Sequence, residues 1–322
     1  MLDRDNASAA RSCLVIMVVG SIVFLIVCAI LALTLLPIDI GRDQQAEPTA
    51  TRVIERGKLT FALLDVGQGL SAAVVTPSGH AMVIDGGRSG ERVREELLPF
   101  LRDHNIETLD YVVMTHPDQD HVGGLPALLE AMTVKAWVDP VVPSSNQSYE
   151  RALDLVVQKN IEAIRGRRGM RLDLGPDVSV ELLWPEDPLT LSPGEQGDNN
   201  SSIVTKITYG DVSFLVTGDA EAPAERRMIE LESNEDLRST FLVVGHHGSA
   251  SSSTGAFLDA VSPEVALIPV GLNNQYGHPA DEVIQRLRLR NIQIYRSDLD
   301  GRIEITTDGS DYDIWTAEGN GT

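Results

Sequence analysis

The stretch THPDQDHVGG, Thr115–Gly124, sets His116, Asp118, Asp120 and His121 side by side in one short segment. Each can lend an electron pair to a cation. The preceding LDYVVMT is a continuous apolar run of β character, and the following LPALLEAM reads as a helix. The motif therefore sits in the loop at a strand's C-terminal end, where α/β proteins carry their chemistry. Capping the helix needs one carboxylate. Crowding the remaining acids and imidazoles together without a cation costs repulsion, so a metal site is the better reading. Gly123 and Gly124 are expected to let the backbone bend back into the helix.

Working outward, KLTFALLDV, SAAVVT and AMVID read as strands before the motif, and Glu91–Arg102 as a helix with Val93, Leu97, Leu98 and Leu101 on one face. After it, VSVELLW, SIVTKITYG, DVSFLVTG, FLVVG, VALIPVG, IQIYR and RIEITT read as strands. APAERRMIEL, TGAFLDAV and ADEVIQRLRLR read as helices between them. Strands alternating with helices imply sheets covered by helices, and two such halves suggest a four-layer α/β sandwich. Trp184–Ser202, rich in Pro, Gly and Asn, is long enough for a functional loop.

Several stretches carry a family resemblance. The pattern H-x-D-x-D-H-x-G-G resembles the signature of the metallo-β-lactamase fold, in the variant found in the hydrolase domain of ComEC-type competence proteins, which take DNA across bacterial membranes. LLDVGQG (Leu63–Gly69), VIDGG (Val83–Gly87), DNNSSIV (Asp198–Val204), FLVTGD (Phe214–Asp219), VGHHGS (Val244–Ser249) and YGHP (Tyr276–Pro279) agree with it in order, from about Lys58 to Trp315. The resemblance implies an αββα four-layer sandwich with two metal sites. His116 and Asp118 would hold the first metal, Asp120 and His121 the second, and Asp219 would bridge them. His246 or His247 would complete the second site, with His247 favoured.

Two departures matter. Asp118 stands where most members of the fold have histidine, and DNNSSIV lacks the further histidine found between the first motif and the bridging aspartate. The competence-type subgroup shares that gap. The first site is then richer in oxygen and poorer in ligands, which moves its preference towards Mn²⁺ or Mg²⁺, while imidazole still suits Zn²⁺. One or two divalent ions, Zn or Mn, are expected, with the second site filling first.

Such a pair lowers the pKa of water and clamps charge on a phosphoryl or carbonyl oxygen, so hydrolysis by metal-bound hydroxide is expected. Asp120 would also orient the hydroxide. His278, and whichever of His246 and His247 is not a ligand, are candidate proton donors to the leaving group; His246 takes that role if His247 ligates. Asn199, Asn200, Ser201 and Ser202 offer neutral donors near the mouth, and Asp85 reads as a support for the metal loop. In RGRRGMR, Arg165, Arg167, Arg168 and Arg171 either hold phosphates or form a solvated turn.

Ser12–Leu36 contains no charged residue and is long enough to cross a bilayer. The expected order is a tail at 1–11, a membrane anchor at 12–36, a polar linker at 37–57, the hydrolase domain at 58–317 and a tail at 318–322. The flanking arginines barely discriminate orientation, and the hydrolase domain is expected outside the cytoplasm on a single-pass anchor. Cys13 and Cys28 both lie in the apolar run, so the rest uses neither disulfides nor thiolate chemistry. The net charge of −21 disfavours a broad nucleic-acid-binding surface but leaves room for a local one. The leading expectation is a membrane-anchored phosphodiesterase or nuclease, with DNA as substrate and a separate membrane channel as partner. The alternatives are a hydrolase of a cell-surface phosphodiester or of a small ester or lactam, and a non-catalytic binding module.

Overall fold

The structure is a computed structural model that describes residues 57–192, 195 and 197–319. The apolar run Ser12–Leu36 lies outside the described residues. Among the described residues no helix is long and apolar enough to cross a membrane.

Two sheets form from the described strands. The first has the order β15-β14-β1-β2-β3-β4-β5-β6, with β1 Leu59–Leu63, β2 Ala72–Val75, β3 Ala81–Ile84, β4 Thr108–Val113, β5 Thr133–Asp139, β6 Glu162–Arg165, β14 Ile303–Thr307 and β15 Tyr312–Thr316. The second has the order β13-β12-β11-β10-β9-β8-β7, with β7 Arg171–Asp173, β8 Val178–Trp184, β9 Val204–Tyr209, β10 Val212–Val216, β11 Phe241–Val243, β12 Val265–Ile268 and β13 Gln293–Arg296. Each sheet is antiparallel on one side and parallel on the other. The parallel runs are β3 to β6 and β10 to β13.

Strand alternation explains the layers. Phe61 and Leu63 face the second sheet, while Ala62 faces the helices, because successive side chains leave opposite faces of a strand. Between the sheets, Phe214 stacks on Phe61 at 4.6 Å and on Phe241 at 4.8 Å. A second core joins the first sheet to the helical run Gly90–Arg92, Val93–Leu97 and Leu98–Asp103, to Leu125–Ala131 and to Gln147–Gln158. A third joins the other sheet to helices Ala222–Leu231, Gly255–Val261 and Asp281–Arg288. Three buried interfaces separate four layers, which is the expected αββα sandwich.

The sequence reading passed over β5, β6, β15 and helix Gln147–Gln158. The helix begins at Asn146, whose side chain accepts from the backbone of Ser148 and Tyr149.

Candidate metal centre

Functional side chains gather where the chain leaves the parallel strands of both sheets. Asp85 follows β3, Thr115–His121 follow β4, Asp219 follows β10, His246 and His247 follow β11, and His278 lies in the loop after β12. His121 Nε2 stands 3.1 Å from Asp219 Oδ1 and 3.3 Å from His247 Nε2. His247 Nε2 is 3.4 Å from Asp120 Oδ2 and 3.6 Å from Asp219 Oδ2. His116 Nε2 is 3.6 Å from Asp118 Oδ2 and 3.8 Å from Asp219 Oδ2. Donors bound at about 2.1 Å in a tetrahedral shell lie about 3.4 Å apart, so these spacings suit shared ions. Two groups can each hold one: His116, His121 and Asp219; and Asp120, His121 and His247.

The supporting bonds aim the rings. Asp85 is fully buried in a left-handed backbone turn, φ 57°. It accepts from Thr115 N at 2.7 Å, Thr115 Oγ1 at 2.6 Å and His121 Nδ1 at 2.7 Å. This is the support expected of Asp85, and it presents His121 Nε2 as a lone pair. His247 Nδ1 is 2.8 Å from the Pro269 carbonyl, and His116 Nδ1 is 3.2 Å from Thr115 Oγ1 and 3.3 Å from Ser202 Oγ. His116 Nε2 and Asp219 Oδ1 are buried without a hydrogen-bond partner, a condition that buried polar atoms rarely tolerate and a cation would relieve. Asp118 takes the N-cap position of Gln119–Val122 yet makes no capping bond, which leaves its half-exposed carboxylate to His116.

The electrostatics agree with a cation site. Burial opposes ionisation of Asp120, but the hydrogen bond from His247 and the nearby His121 outweigh it and hold the carboxyl well below its usual range. Asp219 is likewise penalised by burial and held ionised by His121 and His247. Burial opposes charge on His121, yet Asp219 and Asp85 pull its pKa well above the ordinary histidine value. The cluster thus concentrates fixed negative charge and draws positive charge inward.

His246 Nδ1 is 3.0 Å from Glu221 Oε1, and its Nε2 is 3.7 Å from Asp219 Oδ2. The His278 ring centroid lies 5.5 Å from that of His246 and 6.4 Å from that of His247, so all the expected residues converge on one cleft. Burial, with His246 and His247 nearby, lowers the His278 pKa.

Two expectations need correction. Gly123 (φ −58°) and Gly124 (φ −89°) are ordinary right-handed residues, so their backbone needs no glycine freedom. Their requirement is closeness: a Cβ on Gly123 would collide with the Arg88 carbonyl, and one on Gly124 with the Gly86 carbonyl. Among the neutral donors, Asn200 Nδ2 donates to the Glu195 carbonyl and its Oδ1 accepts from Glu221 N, while Ser201 donates to the Gly197 carbonyl. Asn199, 3.5 Å from His246 Nδ1, and Ser202 are the two that reach the imidazoles. The loop after Trp184 is therefore tied into the centre at its C-terminal end. In RGRRGMR the arginines make surface ion pairs, Arg165 and Arg167 with Asp187, Arg168 with Glu232 and Arg171 with Glu181.

Sequence reasoning missed Glu221 and the pair Arg88–Tyr276, whose side chains meet at 3.5 Å, one from the loop after β3 and the other from the loop after β12. Tyr276 stands in YGHP, where the sequence assigns it no role, and no local pattern marks Glu221 or Arg88. Glu221 reaches His246 from the end of the neighbouring parallel strand of the same sheet, whereas Arg88 and Tyr276 meet only through the packing of the two sheets.

Residues 64–271 match the family model of the metallo-beta-lactamase superfamily. The chain belongs to that superfamily. It is 33% identical over 257 residues to ComE operon protein 3 of Bacillus subtilis, covering 75% of this chain and 32% of that protein. It is 30% identical over 252 residues to Competence protein ComA of Neisseria gonorrhoeae, covering 78% of this chain and 33% of that protein. The chain thus spans about a third of the length of these curated relatives. The crystal structure of CmlA, a diiron β-hydroxylase from Streptomyces venezuelae, superposes with a TM-score of 0.50 at 15% identity over 80% of this chain and 55% of CmlA, a likeness of fold alone. Within the metallo-beta-lactamase superfamily the competence-type resemblance holds, with the His and Asp groups at the strand ends able to take divalent metals.

Proposed function

We propose that this chain is a metal-dependent phosphodiesterase acting on DNA, held at a membrane by Ser12–Leu36 with its hydrolase part outside the cytoplasm. The observation that supports the reading is the convergence of His116, His121 and His247 on the Asp219 carboxylate at 3.8, 3.1 and 3.6 Å, with Asp118 beside His116 and Asp120 beside His247. DNA as substrate, and a separate channel as partner, are drawn from the competence proteins that the chain resembles.

Divalent ions held there would lower the pKa of water and neutralise charge on a phosphoryl oxygen. Zn²⁺ and Mn²⁺ both suit the mixed imidazole and carboxylate donors. The chain's own groups do the rest. Asp120, at the rim with one oxygen near His247, orients the attacking water. His278, kept neutral near pH 7 by burial and its histidine neighbours, is suited to donating a hydrogen bond to the leaving oxygen rather than acting as an imidazolium acid. Arg88, exposed beside Tyr276, supplies positive charge for a flanking phosphate on an otherwise acidic chain.

The test uses the full chain in detergent. Bound metals are measured, and turnover is compared on single- and double-stranded DNA, a bis-aryl phosphodiester and a β-lactam, in Mn²⁺ and in Zn²⁺, beside Asp120→Ala. Cleavage of DNA that Asp120→Ala abolishes supports the reading. Turnover of the lactam alone would move the substrate class, and a chain that binds no divalent ion would end the enzymatic reading.

A further inference from the structure

We infer that Tyr276 is a stacking platform for an unpaired nucleobase, with Arg88 beside it for the adjoining phosphate, so that the cleft takes a single strand in preference to a duplex. The inference rests on the phosphodiesterase reading above and adds which part of the nucleic acid is recognised outside the metal centre.

Tyr276 is 49% exposed, and among the described residues it is the one exposed Phe, Tyr or Trp. A ring of that size left in water at the rim of a cleft has its apolar face available to a ligand. Its place in the cleft is defined by the histidines. Two ring-to-ring steps, 6.4 Å from His247 to His278 and 5.9 Å from His278 to Tyr276, lead from the metal centre to the rim. The Tyr276 and His278 planes lie 27° apart, so a base laid on Tyr276 continues a stack whose inner end is His278.

The platform is held before any ligand arrives. Asn274 Oδ1 accepts from the backbone N–H of Tyr276 and of His278, both at 3.1 Å. Its Nδ2 donates to the carbonyls of Gly271 at 3.1 Å and His278 at 2.6 Å. At the start of the same loop, Gly271 N donates to Gln68 Oε1 at 3.1 Å, which ties the loop to the one between β1 and β2. A loop fixed in this way binds without the entropic cost of being ordered.

The neighbouring charge suits a phosphate. Arg88 Nη1 meets the Tyr276 hydroxyl at 3.5 Å, a weak contact with a neutral phenol, so the guanidinium can turn to a phosphate without breaking a strong bond. The Arg88 backbone is fixed to the metal loop, because its carbonyl accepts from Gln119 Nε2 at 3.0 Å. On a chain of net charge −21, attraction for the phosphate backbone as a whole is poor, which leaves an apolar contact to supply affinity. Stacking is open to every base, since each has a π face, but a base shut inside a duplex cannot offer it.

The experiment measures binding to the full chain, in detergent with Zn²⁺, by fluorescence anisotropy of three labelled probes with slowly cleaved phosphorothioate backbones: an oligothymidine, an abasic strand of equal length and a hairpin duplex. The wild type is expected to bind the oligothymidine about 10-fold more tightly than either other probe. Tyr276→Ala, at an exposed position outside the core, is expected to narrow that ratio about 10-fold, and Tyr276→Phe to keep it, because the ring and not the hydroxyl carries the contact. Arg88→Ala is expected to weaken the oligothymidine and the abasic strand alike and to reduce the slope of log affinity against log salt by about 0.7. The same ratio in Tyr276→Ala as in wild type, an equal loss in Tyr276→Phe, or an unchanged salt slope in Arg88→Ala overturns the inference and leaves the hydrolase reading standing. A wild type that prefers the duplex also overturns it, whereas one that binds none of the three probes removes both the inference and DNA as substrate.

Discussion

Replacing Asp85 by asparagine keeps the shape of the side chain and removes one acceptor oxygen, which isolates what the carboxylate does for the metal loop. Thr115 N can only donate, so the remaining carbonyl oxygen must stay opposite it, at the 2.7 Å contact. The new amide N–H₂ then faces Thr115 Oγ1 and His121 Nδ1, which now lie 2.6 and 2.7 Å from Oδ2. The threonine hydroxyl can rotate and accept. His121 can accept only by moving its proton to Nε2, the atom that faces Asp219 and His247. A histidine protonated at its donor atom cannot ligate, so ion binding at the second site carries the cost of restoring the tautomer. Loss of such a supporting partner lowers metal affinity by about 10–100-fold, roughly 1.4–2.7 kcal/mol. Calorimetric titration of the wild type and Asp85→Asn with Zn²⁺ and Mn²⁺ reads the dissociation constants directly. Affinities within about threefold of wild type, with His121→Ala in the same assay binding far more weakly, would refute the tautomer argument.

Phe214→Ala removes the middle ring of a buried stack between the sheets, and an expected loss of about 3–5 kcal/mol is checked by urea denaturation. Gly124→Ala drives a Cβ into the Gly86 carbonyl and so displaces the loop that carries Asp85; stability falls by about 1–3 kcal/mol and metal affinity falls with it, as read by thermal unfolding with and without Zn²⁺. Burial raises the Glu225 carboxyl to about 7, against the backbone bonds it accepts from Thr254 and Ser253. A raised carboxyl pKa means that the folded state holds the proton more tightly than the unfolded one. Its contribution is therefore full below about pH 4.5 and lost as pH rises through about 7. Relative to Glu225→Gln, the wild type should lose up to roughly 3 kcal/mol over that window, and a pH-independent difference would show that Glu225 does not titrate there.

The legible parts of the fold share a physical signature. Strands buried on both faces, such as β1 (LTFAL) and β10 (VSFLV), appear as apolar runs because both sides must leave water. β6 (EAIR) is an edge strand with two apolar residues, Ala163 exposed and Ile164 half-buried, so nothing in its composition demanded a sheet, and its place comes from parallel pairing with β5. Helix Gln147–Gln158 is a different case. Asn146 caps it, and Tyr149, Ala152, Leu155 and Val156 have helical spacing, so its signal was present and simply weaker than those of the apolar segments around it.

At the centre, the same distinction separates ligands from their partners. His116, Asp118, Asp120 and His121 are readable because one turn after one strand carries all four, and Asp219 and the histidine pair are readable because they too end apolar strands. Glu221 acts across two neighbouring parallel strands of one sheet, and the positions of Arg88 and Tyr276 depend on how the two sheets meet. The choice between His246 and His247 could not be made from VGHHGS, since two adjacent histidines in a strand would diverge. The left-handed turn sends both rings the same way, with Nε2 of His246 at 3.7 Å and of His247 at 3.6 Å from Asp219 Oδ2.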